Sequence, residues 1–331
     1  MSPVRWIGGC LAAAFFAFSP PAVAKLPKLV LAGPYAAVSN PLIHMVESGA
    51  LKDVADSVEF QAWKDPDQLR ALALDPKAPA DFVAMPTNVA ANLYNRGVKL
   101  KLLNVSTWGV LWMVSREANL KTLADFKGKE ILMPFRADMP DIVFRALAER
   151  QGLDARRDFK LRYVASPLDA MQLLITRRAD HALLAEPAVS VALRKTRSFP
   201  VSVIAPELFR SANLQEEWGR VMRRTARIPQ AGIAAMGKAL DDAALIETFQ
   251  RAYAASLDWC EKHPDACGQL VAKHVDLLTP EGVADSVRVD NAVFVPAREA
   301  KPELEFFFGL LHARQPALVG GKLPDDGFYL Q

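Results

Sequence analysis

The stretch Asp81-Phe82-Val83-Ala84-Met85-Pro86-Thr87-Asn88-Val89-Ala90-Ala91 decides the fold class. Asp81 to Met85 is a short apolar run of strand length, and Pro86 ends it. Thr87 or Asn88 then supplies a capping side chain for a helix that runs to Asn95. A second apolar run follows at Lys99 to Val105. Strand, helix and strand in so short a span form the unit from which parallel sheets are built. Working outward, Lys28 to Ala32 reads as a strand closed by Gly33-Pro34, and Ser39-Asn40-Pro41 opens a helix with proline in its first turn. Ser57 to Ala62 reads as a strand and Pro66 to Leu74 as a helix. Short strands alternating with helices predict a largely parallel sheet covered on both faces.

The alternation then repeats with different residues. Strands are expected at Leu111–Ser115, Glu130–Met133, Phe159–Val164 and His181–Ala185, with a returning strand at Val201–Ile204. Helices are expected at Met139–Gly152 and Pro167–Thr176, and Leu123 to Lys129 forms a short polar helix and turn. From Glu216 onward the periodicity predicts a mostly helical tail, clearest through Ala243–Trp259. The chain therefore divides into a first α/β lobe at 25–108, a second at 109–205, and a return crossover with a helical tail at 206–331. A tail with an apolar face needs a surface to bury it against, so it is expected to complete the first lobe.

A chain of 331 residues suits two lobes better than one core. Its net charge of +3, with acids and bases interspersed, leaves no electrostatic footprint for nucleic acid. The first 24 residues have the layout of a secretory signal: a basic start through Arg5, an apolar Trp6–Phe18, then Ala22-Val23-Ala24 before Lys25. The apolar run is shorter than the ~20 residues of a membrane span. A lipid anchor at Cys10 would leave almost no apolar stretch ahead of the cysteine. The expected location is therefore the periplasm. Cys260 and Cys267 remain as an even pair flanking Lys262-His263-Pro264. A local disulfide fits an oxidising compartment, two free thiols are the plainer reading, and a metal site with His263 has too few ligands.

In an open parallel sheet, ligands bind beyond the carboxyl ends of the strands. That rule selects Gly33 and Tyr35, Thr87 and Asn88, the loop carrying Phe135, Arg136 and Asp138, and Glu186 before Pro187. Trp108, at the junction of the lobes, is expected to face the same cleft. Each has a structural alternative as a turn, a cap, a surface cation or core. Arg136 and two helix starts favour a ligand with negative charge or strong acceptors, and Tyr35, Trp108 and Phe135 favour a flat body. No nucleotide phosphate loop, dinucleotide glycine pattern, serine elbow or paired metal histidines occur. No catalytic residue, cofactor or metal is expected, and binding is the reading that remains.

Thr122-Leu123-Ala124-Asp125-Phe126-Lys127-Gly128-Lys129, Ser166-Pro167-Leu168-Asp169-Ala170 and Ala179–Pro187 resemble, in order, segments of the nitrate/sulfonate/taurine type of ABC-transporter substrate-binding proteins. Pro86–Ala91, Trp108–Leu111 and Gly320–Pro324 extend the likeness over nearly the whole mature chain. Phe126 stands where leucine is usual, and Arg136-Ala137-Asp138 replaces a small Gly-Ser pair. The resemblance implies a type II periplasmic-binding-protein fold: two α/β lobes, two crossovers and a helical C-terminal region. It also implies capture of a small organic anion or heteroaromatic solute by a monomer that serves a permease and its ATPase, both separate chains. Two other readings are an enzyme resembling the thiamine-pyrimidine synthases, whose cysteine-rich motif is absent, and a ligand-binding partner of an envelope sensor.

Overall fold

A computed structural model describes residues 25–74, 80–205, 207–290 and 292–331, so the expected signal segment at 1–24 lies outside the described residues. The first lobe opens with β1 (Leu29–Pro34), α1 (Asn40–Ser48), β2 (Val58–Trp63), α2 (Pro66–Leu74), β3 (Phe82–Pro86), α3 (Thr87–Asn95) and β4 (Leu100–Thr107). The second contains β5 (Leu111–Ser115), β6 (Glu130–Pro134), α4 (Met139–Arg150), β7 (Lys160–Val164), α5 (Pro167–Ile175), β8 (His181–Ala185), α6 (Ala188–Arg197), α7 (Val201–Ile204), β9 (Phe209–Asn213) and α8 (Leu214–Met222). The chain then returns through β10 (Ala231–Met236), α9 (Ala243–Lys262), α10 (Pro264–His274), α11 (Pro280–Val289), β11 (Val295–Pro296) and α12 (Ala297–Arg314).

Two sheets result, ordered β2-β1-β3-β10-β4-β11 and β7-β6-β8-β5-β9. Each places the strand that follows a crossover, β10 or β5, antiparallel among parallel neighbours. All six residues of β10 are buried. Its alanines read as helix by propensity, yet small side chains are what a strand between β3 and β4 requires. A Cβ on Gly232 would stand 1.9 Å from the Asn104 carbonyl oxygen. This strand inside the segment expected to be helical is a correction to the sequence reading.

Two more corrections concern the end of the second lobe. Val201–Ile204 is a helical turn and not a strand, and Val203 and Ile204 stay 74% and 69% exposed because no sheet position covers them. The strand is instead Phe209–Asn213, which pairs with β5. The return to the first sheet, expected from 206, therefore comes between α8 and β10. The tail also does more than complete the first lobe. α9 packs on α1, and Phe249 stacks on Phe82 at 3.8 Å. α11, however, packs on α6, where a Cβ on Gly282 would meet Val191 Cγ2 at 2.5 Å and Arg194 pairs with Asp285 at 2.8 Å. Cys260 and Cys267 are bonded, with Cα atoms 5.1 Å apart, at the break between α9 and α10.

Candidate functional site

The two crossovers lie side by side and are bonded to each other. Ile228 and Gln230 donate backbone N–H groups to the carbonyls of Trp108 and Thr107, both at 3.0 Å. Gly109 adopts φ +116°, and a Cβ there would stand 2.0 Å from Gln215 Cγ, so glycine is required where the chain passes under that side chain. Gln215 Oε1 in turn accepts from Leu111 N at 3.1 Å. This arrangement joins the lobes by two strands of backbone.

Across from it, the carboxyl ends of β1 and β2 face those of β6 and β7 over a cavity of about 440 Å³. Tyr35, Phe135 and Leu168 supply its apolar wall, and Lys64, Asp65 and Asp169 its charges. A second cavity, about 380 Å³, adjoins the crossovers and is lined by Trp108, Trp112, Glu186, Glu216, Arg227 and Asp290. A third opening, about 310 Å³, lies between α2, α3 and the start of α4, with Arg70, Asn88, Arg96 and Asp138 on its wall.

The helix starts at this interface are built locally in the second lobe. Asp138 caps α4 by accepting from Met139 N at 2.9 Å, and Asp141 accepts from Ala137 N at 2.9 Å. Together they hold the Pro134–Asp138 loop, in which Phe135 and Ala137 adopt φ of +56° and +60°. Ser166 caps α5 through Asp169 N, and Glu186 reaches forward to Ser190 N at 3.1 Å. Glu186 is fully buried and paired with Arg210 at 2.6 Å. Asp138 is buried and paired at 3.2 Å with Arg70 of the opposite lobe. Burial outweighs that partner and its backbone bond, and raises the Asp138 carboxyl to about 6. Burial likewise raises Asp290 to about 7, with the Glu186 charge adding to it.

Six of the nine residues expected at the site line these three openings. Tyr35 and Phe135 line the main cavity, Trp108 and Glu186 the cavity at the crossovers, and Asn88 and Asp138 the third opening. Gly33 lies behind the wall, where a side chain would meet Ser39 Oγ at 2.3 Å. Thr87 is fully buried and donates its hydroxyl to Pro229 O at 2.6 Å, so it ties down the return segment and does not cap α3. Arg136 lines none of these three openings; it is exposed and lies over the Tyr163 ring at 5.2 Å. Asn88 caps nothing, and its carboxamide oxygen is buried without a donor. Trp108 is anchored by Nε1 to Val293 O at 2.9 Å, with Arg227 over its ring.

Sequence reasoning missed Lys64, Asp65, Arg70, Arg210 and the tail residues His274 and Asp276, which also line the main cavity or pair within the interface. Ser166 and Asp169 carried a readable signal, the capping spacing ahead of a helix. The tail residues had none, because only tertiary packing brings α10 to the cleft. Among the described residues, no helix is long and apolar enough to cross a membrane, and no group of His, Cys, Asp and Glu could hold a metal ion.

No protein-family model and no curated protein matches the chain. Solved structures do. The chain is similar to an ABC transporter structure from Parabacteroides distasonis, with TM-score 0.72 and 24% identity over 92% of this chain and 99% of that one. It is similar to the periplasmic aliphatic sulphonate binding protein SsuA of Escherichia coli, with TM-score 0.67 and 15% identity over 93% of each chain. It is also similar to the periplasmic nitrate-binding protein NrtA of Synechocystis PCC 6803, with TM-score 0.66 and 14% identity over 89% and 84%. At these identities the likeness is one of fold: this chain has the two-lobed architecture of periplasmic binding proteins.

Proposed function

We propose that this chain is the periplasmic solute-binding component of an ABC importer, which holds a small molecule between its lobes and presents it to a separate permease. The observation that carries the reading is the pair of sheets whose strand ends converge on one cavity across two hydrogen-bonded crossovers. That geometry suits capture and release by lobe movement. Opening would break the cross-lobe pair Arg70–Asp138, and a solute that bridges the lobes would favour the closed form by its differential affinity. The reading is one of binding without turnover.

The test is a thermal-shift screen of the chain from Lys25 against small solutes, followed by calorimetry. A true ligand stabilises the fold by mass action, by about 2.7 kcal/mol at a hundredfold excess over Kd. Saturable one-to-one binding supports the reading. Steady consumption of the solute would replace it with an enzyme.

A further inference from the structure

The cleft occupies one end of the second sheet, and the opposite end has a chemistry of its own. Ser115 at the close of β5 lies beside His181 at the start of β8 and Phe209 at the start of β9. Glu130 and Lys160, at the starts of β6 and β7, are register partners on the same edge. Helices α4, α5 and α6 follow β6, β7 and β8 and run back from the cleft, so their last turns reach this end too. The far face of the second lobe is made of these helix ends and of the segments 116–129, 151–159, 176–180 and 198–205, with Glu207 and Leu208.

The first distinction of this face is its charge. Those segments, the last four residues of each helix and the first residue of each strand hold 13 Lys and Arg against 8 Asp and Glu, a net of +5. The whole chain carries +3, so the remainder sums to −2. Some of the cations are neutralised in place: Lys129 by Glu117 at 2.7 Å, Arg197 by Glu207 at 2.5 Å and Arg194 by Asp285 of α11 at 2.8 Å. Lys121, Lys160, Arg177, Arg178 and Lys195 form no ion pair among the described residues. All of them are exposed except Lys195, which is half-buried.

The second distinction is an apolar tip. Phe199, Val203 and Ile204 are 84%, 74% and 69% exposed, the highest values for large apolar side chains among the described residues. They belong to α7 and the residues just ahead of it, directly after the basic last turn of α6, and α7 buries none of its own residues. Large apolar side chains held in water among cations match a surface that is apolar within and anionic at its rim. A phospholipid leaflet has that order. A stable protein interface buries about 800 Å² per partner, which three side chains on one turn do not supply.

We propose that the far face of the second lobe docks on an anionic phospholipid surface. Phe199, Val203 and Ile204 enter the headgroup region, and the unpaired cations meet the phosphates. Cleft and docking face lie at opposite ends of the same strands, so the docked protein keeps its cleft open to solution. Docking and solute capture use separate residues, and each can fail without the other.

Co-sedimentation of the chain from Lys25 with lipid vesicles tests this. Vesicles of phosphatidylethanolamine with phosphatidylglycerol are compared with vesicles of phosphatidylcholine alone. The apolar variant is Phe199→Ser/Val203→Ser/Ile204→Ser, and the charge variant is Arg177→Gln/Arg178→Gln/Lys195→Gln. None of the six side chains is buried, so both variants should keep the parent's urea midpoint. The expected result is binding to the anionic vesicles, weaker by about tenfold or more in each variant and reduced by added salt. No binding to anionic vesicles, equal binding to phosphatidylcholine, or binding indifferent to either variant overturns the inference. So does self-association without lipid that the apolar variant abolishes, because a second copy of the chain would then cover the turn.

Discussion

The two lobes start their cleft-facing helices in opposite ways. In the second lobe the starts of α4, α5 and α6 are satisfied by Asp138, Ser166 and Glu186, each within a few residues of the N–H it accepts from. In the first lobe, α1 and α3 have no side-chain cap. Ser39 turns back to the Pro34 carbonyl, and Thr87 reaches 142 residues along the chain to Pro229. The second lobe thus fixes its cleft loops by local chemistry, whereas the first fixes two of its loops by ties to other parts of the fold. The exception in the first lobe is α2, whose start Asp65 caps locally.

The largest effect should come from the buried pair that anchors α6. Arg210→Ala leaves Glu186 without its cation, and loss of about 3–5 kcal/mol is expected in urea unfolding. Adding Glu186→Gln to that variant should recover most of the loss. If it recovers nothing, Arg210 acts through its packing over Trp112 at 5.6 Å and not through the carboxylate.

Asp138→Asn probes the charge at the start of α4. The carboxyl is raised from 3.8 to about 6 in the folded state, so the folded protein binds the extra proton between these values. Stability from this group therefore falls as pH rises through that window, and its penalty is complete above about pH 6. Asparagine still caps a helix. The variant should be more stable than the parent at pH 7.5 by up to about 3 kcal/mol, with the advantage gone near pH 4. Equal stability at both pH values would mean that Arg70 fully compensates the burial.

The smallest effect is expected at α5. Ser166→Ala removes an ordinary, exposed cap and should lower stability by about 1 kcal/mol, measured as a shift of the urea midpoint with unchanged slope. A much larger loss would show that the second lobe's helix starts are coupled across the cleft.

The same contrast governs what could be read beforehand. Ser166-Pro167 ahead of a helix, Asp138 before Met139-Pro140 and the strands from Leu29 to Ala185 were legible, because their signals are local: a cap, a proline in the first turn, an apolar run closed by a breaker. β10 was not legible, since Ala231–Met236 becomes a strand only when β3 and β4 offer it a narrow central slot. The placement of Arg136 was not legible either, because position in a loop does not give direction. The left-handed turns at Phe135 and Ala137 send Phe135 to the cavity and leave Arg136 over Tyr163.

By itself the amino-acid sequence determined an α/β chain in two lobes, since period and punctuation within each βαβ unit are local properties of the polypeptide. Only the tertiary structure decided where the return strand enters, that α11 reaches the second lobe, and which charges line the cleft. Those depend on contacts between residues distant along the chain, and backbone approach, burial and pairing settle them once both sheets have formed.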